Sequence, residues 1–118
     1  MPRFLYPGSN DFIDGPRNLV VIAGQAMQME CQADSNSTVS EWSMQMPFTK
    51  EKKTVFVNSK GQNKIKDEHF GIVEGINGTV VLYTNSTEMN DSGIYTCAVQ
   101  KTLKQPDRYS AQLIVFGN

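Results

Sequence analysis

Few residues in this chain of 118 could carry covalent chemistry. His69 is the one histidine, so a nucleophile–histidine–carboxylate site would have to be built on it. Asp67-Glu68-His69 is too compressed to be more than a fragment of a metal site. There is no glycine-rich phosphate loop, and no glycosidase-like carboxylate pair can be placed. The chain is therefore expected to act by binding, not catalysis, with no cofactor and no metal.

The chemistry that does recur is that of modification. Asn36-Ser37-Thr38, Asn77-Gly78-Thr79, Asn85-Ser86-Thr87 and Asn90-Asp91-Ser92 each match the N-glycosylation acceptor pattern. Four such sites point to a secreted or cell-surface protein, an oxidising setting in which Cys31 and Cys97 can pair. Formal net charge is −1, which gives no reason to expect nucleic acid. The longest apolar run, Leu19 to Ala23, is far short of the roughly 20 residues of a membrane span, so no direct membrane insertion is expected. Phe4-Leu5-Tyr6 is followed at once by Pro7-Gly8, so no secretory signal is visible. The chain is expected to come from a longer extracellular protein.

These residues must be positioned by short strands. Length fits one domain, and 39% apolar content suffices for one core. No stretch holds a helical period, and Gly, Asn, Asp, Ser and Pro recur at short intervals, the pattern of an all-β sandwich or barrel. In 27–32, Met27, Met29 and Cys31 alternate with Gln28, Glu30 and Gln32. Strands are expected at 19–23, 39–46 and 54–57, a hairpin at 70–73 and 80–84, and strands at 93–100 and 109–115. Residues 1–12 are expected to be an irregular extension and 13–118 the domain.

Cys31, Trp42 and the run Asp91-Ser92-Gly93-Ile94-Tyr95-Thr96-Cys97 occur in that order. This resembles the signature of the immunoglobulin superfamily. The resemblance implies a β-sandwich with Greek-key connections, an inter-sheet disulfide between Cys31 and Cys97, Trp42 packed against it, and Tyr95 bonding back to the preceding turn. It gives Gly93 the task of keeping that turn tight. The wide cysteine spacing, and Gln45 three residues after Trp42, resemble the V type with about nine strands. His69 stands where members often carry the arginine that pairs with the motif aspartate, so a pH-dependent ion pair with Asp91 is expected. The last strand lacks the glycine bulge of antigen-receptor V domains, which favours an adhesion or co-receptor type.

The family's usual recognition surface is the outer face of the sheet whose strands are lettered C, C′, F and G. Alternation turns Trp42, Met44, Tyr95, Cys97 and Val99 inward. It leaves Glu41, Ser43, Gln45, Ile94, Thr96, Ala98, Gln112 and Ile114 outward, with Phe56 or Phe48 completing a small apolar patch. The sequons at Asn36, Asn77, Asn85 and Asn90 avoid those strands. Nine of the eleven basic residues fall at 50–66 and 101–108, and Lys50, Lys52, Lys53, Lys101, Lys104 and Arg108 are expected to form one basic edge. The function implied is an extracellular recognition or adhesion module of a cell-surface receptor. It would bind a protein partner, homophilically or through another immunoglobulin-type domain. The alternatives are a secreted V domain that binds glycans, sulfated ones included, and an antigen-receptor-like V domain.

Overall fold

The computed structural model describes residues 12–34, 37–59, 62–75, 78–101 and 105–117. Ten strands run through them: β1 (Phe12–Asp14), β2 (Leu19–Ile22), β3 (Met27–Ala33), β4 (Ser37–Gln45), β5 (Lys52–Ser59), β6 (Gln62–Ile65), β7 (Gly71–Glu74), β8 (Thr79–Thr84), β9 (Gly93–Lys101) and β10 (Asp107–Phe116). They form a four-stranded sheet, β1-β3-β8-β7, and a six-stranded sheet, β2-β10-β9-β4-β5-β6. The first segment divides between the sheets, β1 joining β3 and β2 running parallel to β10, which raises the expected nine strands to ten. β5 and β6 are the additional strands for which the cysteine spacing leaves room. Apart from Phe12, the N-terminal extension lies outside the described residues.

The alternation read from the sequence sets which side of each strand is dry. Met27, Met29, Cys31 and Ala33 of β3 are buried while Gln28 and Glu30 are exposed. Ala111, Leu113 and Val115 of β10 are buried between exposed neighbours. The inner faces meet around Trp42, Tyr95, Leu82, Met29 and the Cys31–Cys97 disulfide, which joins β3 of one sheet to β9 of the other. Closing a loop of 66 positions stabilises the fold by on the order of 4 kcal/mol through lost chain entropy in the unfolded state. The Trp42 indole Nε1 is buried without a hydrogen-bond partner among the described residues.

Two irregularities adjust the six-stranded sheet. Between β4 and β9 the register shifts at Ser40, so that Val39 pairs with Val99 and Glu41 with Ala98. Between β4 and β5 it shifts at Val55, so that Trp42 pairs with Phe56 and Ser43 with Thr54. An extra residue in one strand re-aims the side chains around it. Here it turns both Val55 and Phe56 into the core. Phe56 is thus a core residue, contrary to the outward patch expected of it.

Candidate functional site

The family motif builds a corner at the start of β9. Tyr95 is fully buried, and its hydroxyl donates to the carbonyl oxygen of Asp91. Burial pushes the phenol's ionisation well above its ordinary range, so it remains a donor. The buried Asp91 accepts at Oδ2 from His69 Nε2 at 2.7 Å and from the Glu88 backbone N–H at 2.7 Å. His69 therefore takes the place expected of it. Its ring meets Phe70 edge-on, and Phe70 meets Tyr95 edge-on.

The second acid at this corner is Glu88, whose Oε2 lies 3.5 Å from His69 Nε2. His69, Glu88 and Asp91 bring potential ligand atoms within 4.8 Å of one another. Yet the Asp91 oxygen nearest the imidazole already has two donors, so the three side chains form a structural hydrogen-bonded corner. Gly93 does not have its expected reason. Its backbone is not left-handed. A Cβ there would run into the Gln45 carbonyl oxygen, so glycine is needed for the close approach of β4.

The register arranges the outer face of the six-stranded sheet into rows. At one end, Glu41, Ala98 and Arg108 lie side by side on β4, β9 and β10. The next row is hydroxyl-bearing: Thr54, Ser43, Thr96 and Ser110, with Thr96 Oγ1 and Ser110 Oγ 2.7 Å apart. Then come Lys52, Gln45, Ile94 and Gln112. Beyond them Ile114 pairs with Val20, and Phe116 with Ile22. The face thus grades from charged, through hydroxyl and amide, to apolar. Val20, Ile94, Ile114 and Phe116 expose 65%, 44%, 43% and 44% of their surface. Phe48, in the turn after β4 at the apolar end, is 95% exposed.

Most expected face residues therefore share one surface, with two corrections. Phe56 is absent from it, because the bulge at Val55 turns it inward. Ala98 points outward by alternation but is buried, since its short side chain lies between the long ones of Glu41 and Arg108. Sequence reasoning missed Val20. The sign was available in Leu19-Val20-Val21-Ile22, but not the knowledge that β2 would join β10.

The basic residues do not form one edge. Lys50 and Lys52 lie at the β4–β5 turn, whereas Lys101 and Arg108 lie toward the opposite end of the sheet. Lys53 is engaged, its Nζ 2.8 Å from Asp67 Oδ2. Lys104 lies outside the described residues, as do Asn36 and Asn77. Asn85 and Asn90 are exposed, and neither is on this face. Asn85 instead borders a groove of about 490 Å³ on the four-stranded sheet, lined by Val73, Val81 and Tyr83 among others.

A disulfide across two sheets, a tyrosine anchored to the turn before it and two extra strands beside β4 define an immunoglobulin-type variable domain. Residues 14–116 match the immunoglobulin V-set domain, and the chain belongs to that family. V-set domains are generally non-enzymatic, typically extracellular recognition modules, and they generally bind protein partners. No helix among the described residues is long and apolar enough to cross a membrane.

Several solved structures share the fold. A chain from work on T cell specificity and activation by the bacterial superantigen toxic shock syndrome toxin-1 is 21% identical, with TM-score 0.69, over 86% of this chain and 94% of that one. Murine CRIg is 14% identical, with TM-score 0.63, over 89% and 95%. The N-terminal Ig1-2 module of the Drosophila receptor protein tyrosine phosphatase DLAR is 17% identical, with TM-score 0.68, over 92% of this chain and 49% of that one. At these identities the likeness is one of fold. No curated protein matches the sequence significantly.

Proposed function

We propose that this domain is the extracellular recognition or adhesion module of a cell-surface immunoglobulin-superfamily receptor. It binds a protein partner through the outer face of β4, β5, β9 and β10, extended onto β2. The observation that supports this most is the grading of that face. Four large apolar side chains lie exposed together at one end, beside hydroxyl and charged rows. Protein interfaces have this composition, with an apolar centre and a polar margin. Asn85 and Asn90 carry glycans in this reading, and both leave the face open.

The dispersal of the basic residues to opposite ends of the sheet speaks against a sulfated glycan as the main ligand. The unbroken β9–β10 register from Asp107 to Leu113 speaks against an antigen-receptor-like pairing built on a glycine bulge.

The test uses the chain displayed in many copies on fluorescent beads and applied to a panel of cells. Parent beads are expected to bind a subset of cells. Ile94→Arg abolishes that binding, and Val73→Arg, on the outer face of the other sheet, preserves it. Retention with Ile94→Arg and loss with Val73→Arg would overturn the assignment. Binding lost only after the cells are stripped of sulfated glycans would return the glycan reading.

A further inference from the structure

We infer that the partner this face takes is a second copy of the same chain, related by a two-fold axis running along β9. The inference rests on the reading of the face just given and adds its occupant and geometry.

The argument starts from two charges. Glu41 on β4 and Arg108 on β10 flank the buried Ala98 of β9 in one row. Neither makes an ion pair with another described residue. They are opposite in sign and stand one strand to either side of the same central strand. A two-fold axis along that strand, between two stacked faces, exchanges left and right within each row and keeps the rows in order. It lays Glu41 of each copy over Arg108 of the other, which makes two ion pairs across the interface where neither charge has one among the described residues of the single chain. Ala98 meets Ala98, and its small side chain leaves room for the long charged pair on each side.

The remaining rows fit the same operation. Ser43 faces Ser110, and Gln45 faces Gln112, an amide against an amide. Ile94 lies on the axis and meets its own copy, an apolar contact of the isologous kind that closed dimers use. Phe48 leaves the β4 side at the apolar end, where the operation brings it toward the partner's Ile114 and Val20. The exposed phenylalanine and the apolar pair have no other explanation among the described contacts. Two such sheets stack with their strands within about 30° of one another.

The competing two-fold axis, across the strands, fails on charge. It keeps each strand over its own copy and reverses the rows, so that Glu41 faces the Gln45 region and Arg108 the Gln112 region. Lys52, beside Gln45, then comes near Glu41, but Arg108 is covered without a partner, which is costly. Only the axis along β9 pairs both charges.

Charge reversal tests this directly, because the geometry predicts a pattern that no single-partner surface produces. Sedimentation equilibrium is run on the whole chain from about micromolar to about millimolar, a range that brackets affinities of roughly −8 to −4 kcal/mol. The parent self-associates to a dimer. Glu41→Arg and Arg108→Glu each weaken self-association at least about tenfold, since each sets like charges together twice. An equimolar mixture of the two variants associates, because every contact is then Arg against Glu. The doubly reversed Glu41→Arg/Arg108→Glu chain recovers the parent's dimerisation. Both sites are on the surface, and unchanged thermal midpoints verify that each variant folds.

Variants that dimerise like the parent, or a mixture no more associated than its components, would overturn the two-fold arrangement. A parent that stays monomeric to about millimolar overturns the second copy as partner. That result leaves the face's role standing on the bead experiment with Ile94→Arg, which fails independently if the face is the wrong one.

Discussion

The corner at Asp91 and the face at Ile94 are three residues apart in the chain, yet they treat their polar groups in opposite ways. At the corner, donors and acceptors answer one another. Asp91 Oδ2 has two donors, the Tyr95 hydroxyl reaches the Asp91 carbonyl, and Ser92 Oγ both gives to and takes from the backbone of Val115. Thr87 Oγ1 donates to the backbone oxygens of Gln25 and Ile22. On the face, Glu41 and Arg108 are left without ion partners among the described residues, and isoleucines stand in water. A region that is complete in itself serves the fold. A region left incomplete in a repeating, strand-by-strand order serves an encounter.

Removing the disulfide is expected to have the largest effect, because it ties the sheet that supports the corner to the one that carries the face. Cys31→Ala/Cys97→Ala should cost on the order of 4 kcal/mol in chemical denaturation. The corner comes next. Asp91→Ala deprives the His69 imidazole and the Glu88 amide of their common acceptor, with an expected loss of about 2–3 kcal/mol. His69→Ala should cost about 1–3 kcal/mol, since it leaves a buried carboxylate with one donor fewer. His69→Arg should lose less, because a guanidinium can restore the pair. Equal losses in the two variants would show that packing on Phe70, not charge, is what His69 supplies.

Gly93 joins the two regions, since it precedes Ile94 and packs against the backbone of Gln45. Gly93→Ala must push β4 away by forcing a Cβ toward the Gln45 carbonyl. A destabilisation of about 1–3 kcal/mol is expected, typical of overpacking. A stability change within about 0.5 kcal/mol would show that β4 can yield there at little cost.

The corner was far more legible in the sequence than the face. Its residues are fixed types at fixed spacing, and their partners follow from the family resemblance that this spacing carries. Alternation also placed Trp42, Met44, Tyr95, Cys97 and Val99 inside, as the structure has them. It failed at Thr54-Val55-Phe56-Val57, because a run with consecutive apolar residues has no phase of its own and a bulge decides which of them turn in. Ala98 failed for another reason: exposure of a small residue depends on its neighbours' length, which no pattern along one strand reveals. β6 is polar along Gln62-Asn63-Lys64 and is a strand because β5 offers it an edge. The rows of the face, and the separation of Lys50 and Lys52 from Arg108, exist only once strands are in register.

Ile94→Arg sharpens the comparison from the other side. Ile94 is 44% exposed, so its replacement should change stability by less than about 0.5 kcal/mol while removing bead binding. Loss of both together would make Ile94 part of the fold after all.

The smallest expected effect comes from a surface pair that belongs to neither region. Lys53 comes from β5, beside the face, and Asp67 from the turn that leads to His69. The hydrogen bond from Lys53 is the main influence holding the Asp67 carboxyl below its ordinary value of 3.8, against partial burial that opposes it. The His69 backbone N–H, 3.0 Å from Asp67 Oδ1, acts in the same direction. A carboxylate whose folded-state value is depressed contributes stability above its unfolded value, and that contribution disappears as pH falls through the folded one. The parent should therefore exceed Asp67→Asn in thermal midpoint above about pH 4, and the gap should close below it. The lysine is 45% exposed and solvent screens the pair, so the gap should correspond to well under 1 kcal/mol. A gap that persists unchanged at acid pH would mean that the substituted amide fails to reproduce the turn. The contribution of Asp67 would then be the hydrogen bond that its carboxylate accepts from the His69 backbone N–H, which makes the residue a distant support of the corner.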